Sequence, residues 1–220
     1  DADFHPRLSG IAQDTLQWNL LVNEQALVRL LLAGPGVIVT LTFAPFVIPL
    51  FYSAKFSEAV VVLRWVCLVA TLQVVTWPMG FIILAEVRQD FFFLSEFVWA
   101  VSAAGLAWSC IASYGLNGAG IAFFLSYIVH AVLVYPIVRH LSGFRWSTQN
   151  KRIGFLFFSL IATVFIAFYL LPLYIAVWVG TGAGLLGGVV SVRCFMKLVP
   201  LEDLPRLMRR LFVRFSLARQ

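Results

Sequence analysis

Apolar positions along this chain fall into long blocks separated by short polar punctuation, with neither the strict alternation of a strand nor the one-sided stripe of a surface helix. Residues 37–51 and 153–171 are typical of these blocks. A bilayer-spanning helix needs about 20 mainly apolar residues, whereas a membrane β-strand needs only about 9–11 alternating ones. The blocks therefore predict helices, with six spans at about 30–52, 59–85, 91–114, 121–138, 153–171 and 173–192. Polar segments at 53–58 and 86–90, the glycine-dense stretch 115–120, the long polar stretch 139–152 and a tight turn at Pro172 separate them. Residues 14–29 mix Leu16, Trp18, Leu20 and Leu21 with Asn19, Asn23 and Glu24, which reads as an interfacial amphipathic helix. At the other end, Leu204, Leu207, Leu211 and Phe215 recur at helical spacing among Arg206, Arg209, Arg210 and Arg214, predicting a second one. Pro45 and Pro49 in the first span and Pro78 in the second remove amide donors, so kinks or breaks are expected there, where transporters place gates.

The expected fold is thus all-α: a polytopic transmembrane bundle of about six spans with interfacial helices at both ends. Its parts are a cytoplasmic segment and interfacial helix at 1–29, a four-span bundle at 30–138, a cytoplasmic loop at 139–152, two further spans at 153–196, and a basic amphipathic tail at 197–220. Composition closes off the other classes. Of the 220 residues, 61% are hydrophobic and 12% charged, and mean hydropathy is +0.93. Soluble domains run near 45–50% apolar and about 25% charged, so a solvated globule, a disordered chain and a coiled coil are excluded. The sixteen Lys and Arg residues are distributed very unevenly. With the N-terminal segment on the cytoplasmic side, alternation of six spans puts all of them there except Lys55, which falls outside, and Arg64, which falls within a span. That is the positive-inside pattern, and it places the C-terminus in the cytoplasm. The net charge of +6 then reads as topology and contact with anionic membrane lipids, with no nucleic acid required. The chain starts at Asp1 without a basic segment and apolar core of a signal peptide, as the C-terminal part of a longer protein would.

Chemistry is sparse. Cys67, Cys110 and Cys194 stand singly in apolar runs, without the spacing of a disulfide framework or metal site. No nucleophile, metal-hydrolase or paired-acid motif is present, so neither an enzyme, a metal site nor a cofactor is expected. Ionisable groups within a bilayer are costly, which makes each one a functional candidate. Arg64 either holds an anion crossing the membrane or snorkels to the headgroups on its long stem. His130 is expected either as a site residue, to titrate or to hydrogen-bond a sugar, or as a bridge to a neighbouring helix. Glu96 takes part in transport or pairs with Arg88 across the 86–90 loop. Gln73, Thr76 and Trp77 share one helical face beside Pro78 and suit either a sugar or a helix interface. Gly180, Gly184 and Gly188, four apart, predict close helix packing.

Several segments resemble a known family. Phe4-His5-Pro6-Arg7-Leu8-Ser9, Leu21-Val22-Asn23-Glu24-Gln25, the stretch from Phe43-Ala44-Pro45 through Leu50-Phe51-Tyr52-Ser53-Ala54-Lys55-Phe56, Leu63-Arg64-Trp65, and Thr76-Trp77-Pro78-Met79-Gly80-Phe81 occur in the order found in O-antigen translocases. Residues 3–85 carry the resemblance; beyond Phe91 it is mainly hydropathy and the 115–120 glycines. At Val66-Cys67 the chain departs from the polar Gln common in that family. The resemblance implies a Wzx-type lipid-linked oligosaccharide flippase of the polysaccharide exporter superfamily, which is MATE-like: two six-helix lobes rock about a central cavity. On that resemblance this chain is the second lobe, in a bacterial inner membrane. Its substrate is an undecaprenyl-pyrophosphate-linked oligosaccharide, and polysaccharide polymerase machinery is a further partner. Arg64 is then the anion contact near the outer mouth, with Arg29 and Arg88 at the inner one. The alternatives are a small-cation or drug exporter of the same architecture, or a non-transporting membrane scaffold for polysaccharide enzymes. The topology itself is testable: reporter tags inserted at Lys55 and at Lys151 are expected on opposite faces of the membrane, and tags on one face would overturn the six-span map.

Overall fold

The computed structural model describes residues 15–52, 58–85 and 89–198, and every element among them is a helix. They are α1 (Thr15–Phe51), α2 (Ala59–Ala85), α3 (Gln89–Ser142), α4 (Thr148–Leu170) and α5 (Leu173–Leu198). All five are long and apolar enough to cross a membrane. Backbone amides in hydrocarbon must be bonded within the segment, and a helix does this without help from neighbours. α3 is two helices in one. Gly115 adopts φ 57° and ψ −137°, a conformation open to glycine because it lacks a Cβ. Beyond it the chain doubles back, since Trp99 meets Tyr127 and Glu96 meets His130 across the two arms. The five helices therefore supply six crossings of a multi-pass membrane protein.

Helix ends follow local chemistry. Gly143, at φ 61°, ends the second arm, with its amide bonded to the Arg139 carbonyl at 3.0 Å. Ser147 caps α4 by accepting from the Asn150 amide at 3.1 Å. Pro172 lacks an amide to lose and starts α5 by accepting from Ile175 and Ala176.

Three expectations are revised. Residues 15–29 form no separate interfacial helix; they are the first turns of α1, a single helix of 37 residues. At roughly 55 Å it exceeds the apolar layer of about 30 Å, so its first turns extend past that layer. Pro35, Pro45 and Pro49 all lie inside α1, and Pro78 inside α2, without ending either helix. Each removes one hydrogen bond, and helix continues on both sides of it. The glycines after Gly115 serve packing, not a longer turn. A Cβ on Gly118 would strike the Cys110 backbone, and one on Gly120 would strike the Trp65 ring. The stretch 139–152 is correspondingly shorter as a loop, because helix covers all of it except 143–147. Residues 1–14 and the tail beyond Leu198 lie outside the described residues.

α1 is the axis. It packs on α2, α4 and α5, while α3 packs on α2. One apolar cluster joins Val22, Met79, Ile82, Ile83, Val134, Val138 and Phe144. A second joins Leu27, Leu31, Ile38, Leu41, Cys67, Phe157, Ile161 and Val164. The three cysteines are free. Buried hydroxyls return to their own helices: Thr42 donates to the Ile38 carbonyl at 2.7 Å and Thr71 to that of Cys67 at 2.9 Å. At one end, Asn23 ties α1 to the 143–147 loop. Its Nδ2 donates to the Arg145 carbonyl at 3.0 Å, and its Oδ1 accepts from the Ser147 amide at 2.7 Å and from Asn150 Nδ2 at 2.8 Å. Asn19 Oδ1 adds a bond from the Arg145 amide at 2.9 Å. Arg139, Arg145, Lys151, Arg152, Arg193 and Lys197 all belong to this end.

α5 approaches α1 through glycines. Gly180 lies against Thr42 so closely that a Cβ would overlap that side chain, and Gly184 faces Ile38 and Val39. Gly188 has open space beside it; Gly187, against Phe157 and Ile38, completes the contact instead. Gly180→Ala is expected to destabilise the bundle by about 1–3 kcal/mol through overpacking, with partial recovery in the Gly180→Ala/Thr42→Ala double variant and no loss in Gly188→Ala. Thermal unfolding in detergent would show this. Equal effects at Gly180 and Gly188 would refute the packing.

Candidate substrate cleft

The hairpin at Gly115 brings two short side-chain sets to one depth. Glu96 and Trp99, three apart, share a face of the first arm, and Tyr127 and His130, also three apart, share a face of the second. α2 lies across them and contributes Thr76, Trp77, Gly80 and Phe81. Together these residues, with Phe92 and Ser95, wall a cleft of about 390 Å³ within the spanning region.

Aromatic rings dominate its lining. Trp99 packs edge-on to Tyr127, centroids 5.4 Å apart, and stands 6.4 Å from His130. Tyr127 and His130 are 6.0 Å apart. Trp77 is 54% exposed, about two-thirds of the way along α2. Polar groups are few and placed. Gln73 Nε2 donates to the Tyr127 hydroxyl at 2.7 Å, which fixes the ring between α2 and α3. Glu96 Oε1 lies 3.4 Å from His130 Nε2; the carboxylate side chain is 42% exposed and the imidazole 11%. Trp99 Nε1 and His130 Nδ1, by contrast, are buried without a hydrogen-bond partner. A bare buried donor or acceptor costs about 1–3 kcal/mol, so the cleft holds unspent hydrogen-bonding capacity. Aromatic faces with a carboxylate, an imidazole and an amide can grip a sugar ring or an organic cation. Among the described residues no cluster of His, Cys, Asp or Glu could hold a metal ion.

The structure thus gathers Trp77, Glu96 and His130, with Gln73 directly behind, into one site. Glu96 meets His130 from the facing arm; Arg88, its expected partner, lies outside the described residues. Arg29 stands over the Phe81 ring, 5.7 Å from its centroid, on the α1 side of the same wall. Pro78 follows Trp77 in unbroken helix, and Pro45 and Pro49 lie in α1 away from the cleft. Arg64 is elsewhere. Near the opposite end of α2 it stacks on Phe168, 4.3 Å from the ring centroid, with Nε buried and unpartnered. Beside it Trp65 Nε1 donates to Asn117 Oδ1 at 2.7 Å. The sequence reading passed over Trp99 and Tyr127, although their three-residue spacing from Glu96 and His130 was available. It also passed over the Asn19, Asn23 and Asn150 network.

No protein-family model matches this chain, and no match is found among curated proteins or among solved structures.

Proposed function

We propose that the protein takes part in moving undecaprenyl-pyrophosphate-linked O-antigen or related polysaccharide repeat units from the cytoplasmic to the periplasmic leaflet of a bacterial inner membrane. The observation that carries this reading is the aromatic cleft between α2 and the α3 hairpin, with Trp99 Nε1 and His130 Nδ1 unpartnered beside Glu96. Sugar rings present C–H faces to Trp77, Trp99 and Tyr127, and their hydroxyls suit the accessible Glu96 carboxylate. The family resemblance of residues 3–85 names the same cargo. Cations crowd the end formed by the 143–147 loop and the end of α5, which by the positive-inside rule supports a cytoplasmic side for that end. The sugar then crosses along protein surface while its polyprenyl tail stays in hydrocarbon.

One observation favours a different cargo. Glu96 sets a carboxylate among aromatic rings, the arrangement that recognises organic cations.

The two cargoes separate in vesicles. Reconstituted protein is expected to exchange a fluorescent lipid-linked oligosaccharide between leaflets, and Trp77→Ala to slow this about tenfold, equivalent to about 1.4 kcal/mol. Glu96→Gln, which keeps hydrogen bonding to hydroxyls, should slow it less than threefold. Export of a quaternary ammonium dye that Glu96→Gln abolishes would replace the sugar reading with the cation one. Absence of any exchange would point to the scaffold.

A further inference from the structure

A second concavity, of about 350 Å³, lies among α1, α2 and α4 at the cation-rich end, with Val75 as the α2 contribution. Its wall is apolar: Leu30 from α1, and Gly154, Phe155 and Phe158 from α4. Asn150, Gly154 and Phe158, four apart, mark one line down α4, and eight residues of helix rise roughly 12 Å. The trough therefore runs along the membrane normal, from the loop into the apolar layer. Phe155 beside it is 77% exposed.

The mouth is different. Trp146, Asn150 and Lys151 surround it. Lys151 and its neighbour Arg152 are exposed, and among the described residues neither has an ion-pair partner. Tryptophan and lysine at this level are the usual residues of the headgroup zone. Asn150 is only 7% exposed, and both hydrogen bonds of its Nδ2 go to Asn23, which orients the amide. Its Oδ1 is left buried without a partner. The lining thus offers a lysine ammonium and an orphan acceptor at the mouth and an apolar trough below them.

We propose that this groove is a built site for an anionic phospholipid of the phosphatidylglycerol type. One acyl chain lies along Leu30, Gly154 and Phe158, and the headgroup phosphate meets Lys151. The headgroup glycerol supplies a hydroxyl donor to the amide of Asn150. A zwitterionic lipid brings its own ammonium to the same cationic rim and loses that advantage. The assignment is independent of what the aromatic cleft carries, since the groove shares no lining residue with it.

Native mass spectrometry tests it on protein extracted from vesicles of phosphatidylglycerol and phosphatidylethanolamine in equal parts. The wild type is expected to retain one phosphatidylglycerol, favoured about tenfold over the zwitterionic lipid. Lys151→Glu should cut that retention about fivefold or more, while Arg139→Glu, the same charge change at the same end but off the groove, should leave it unaltered. Gly154→Leu should abolish retention by filling the trough. A Cβ there meets Leu30 at an ordinary 3.8 Å, so the variant is expected to keep its helicity, and Lys151→Glu, altering an exposed side chain, gives a second reading if it does not. Equal retention of both lipids, or retention unchanged in Lys151→Glu, would overturn the proposal. Displacement of the bound phospholipid by equimolar undecaprenyl phosphate would overturn it as well, by giving the groove to the carrier lipid.

Discussion

Hydrocarbon forms no hydrogen bonds, and this constraint shapes the bundle more than any individual contact. It requires the backbone to be helical wherever lipid touches it. It sends Thr42, Thr71, Ser95, Ser126 and Ser142 back onto carbonyls of their own helices. Ordinary apolar burial cannot organise such a molecule, because lipid tails are as apolar as the side chains they would replace. Shape and the few polar bonds must decide instead. Hence the glycine contact of α5 on Thr42 of α1, and the Asn23 bonds that hold α1 to the 143–147 loop where the chain leaves the apolar layer. A polar group left without a partner is then conspicuous. The described residues have few of them, and those of Trp99, His130 and Asn150 line the two concavities.

Much of the fold can be read from the chain because the same constraint acts on sequence. Block lengths near 20 residues announce the crossings, and Gly143, Ser147 and Pro172 mark where helices stop or start for local reasons that need no tertiary context. The continuity of α1 is less legible. In water Pro35, Pro45 and Pro49 would be strong breakers, but in a packed bundle the alternative to a helix missing one bond is exposed backbone, which costs more. Helix therefore persists through all three. The glycines at 115–120 mislead for a related reason: local composition cannot distinguish a residue that turns the chain from residues that let Cys110 and Trp65 come close. Gly115 does the first; Gly118 and Gly120 do the second.

The cleft was half legible. Gln73, Thr76 and Trp77 lie within one turn of one helix, so spacing alone collects them. Glu96 and His130 are separated by 34 positions, and only the register of the hairpin unites them. That register depends on a single glycine conformation: shifting the break by two residues would rotate Trp99 and Tyr127 out of opposition by about 200°, at 100° per residue. Arg88 is the cation near Glu96 in the chain, whereas His130 arrives at the same depth from the other arm only through the fold. Arg64 shows the opposite limit. An arginine within a span is flagged by composition, yet its stacking on Phe168 is a tertiary fact that leaves it remote from the cleft.

The position of the cleft constrains how a cargo could use it. Trp77 is exposed about two-thirds of the way along α2, so the site opens on the flank of the bundle, not along its axis. A water-soluble solute reaching it would have to cross lipid or wait for another protein surface to cover that flank. An amphipathic cargo meets no such obstacle, because its chain can remain in hydrocarbon while its polar head slides along the protein. The polar groups are also arranged by exposure: Glu96 is more accessible than His130, and Trp99 Nε1 is buried. A head with several hydroxyls can bond the accessible Glu96 carboxylate while its rings lie against the aromatic wall. The exposed Trp77 and the accessible Glu96 carboxylate are the features on which the proposal of a lipid-linked sugar rests.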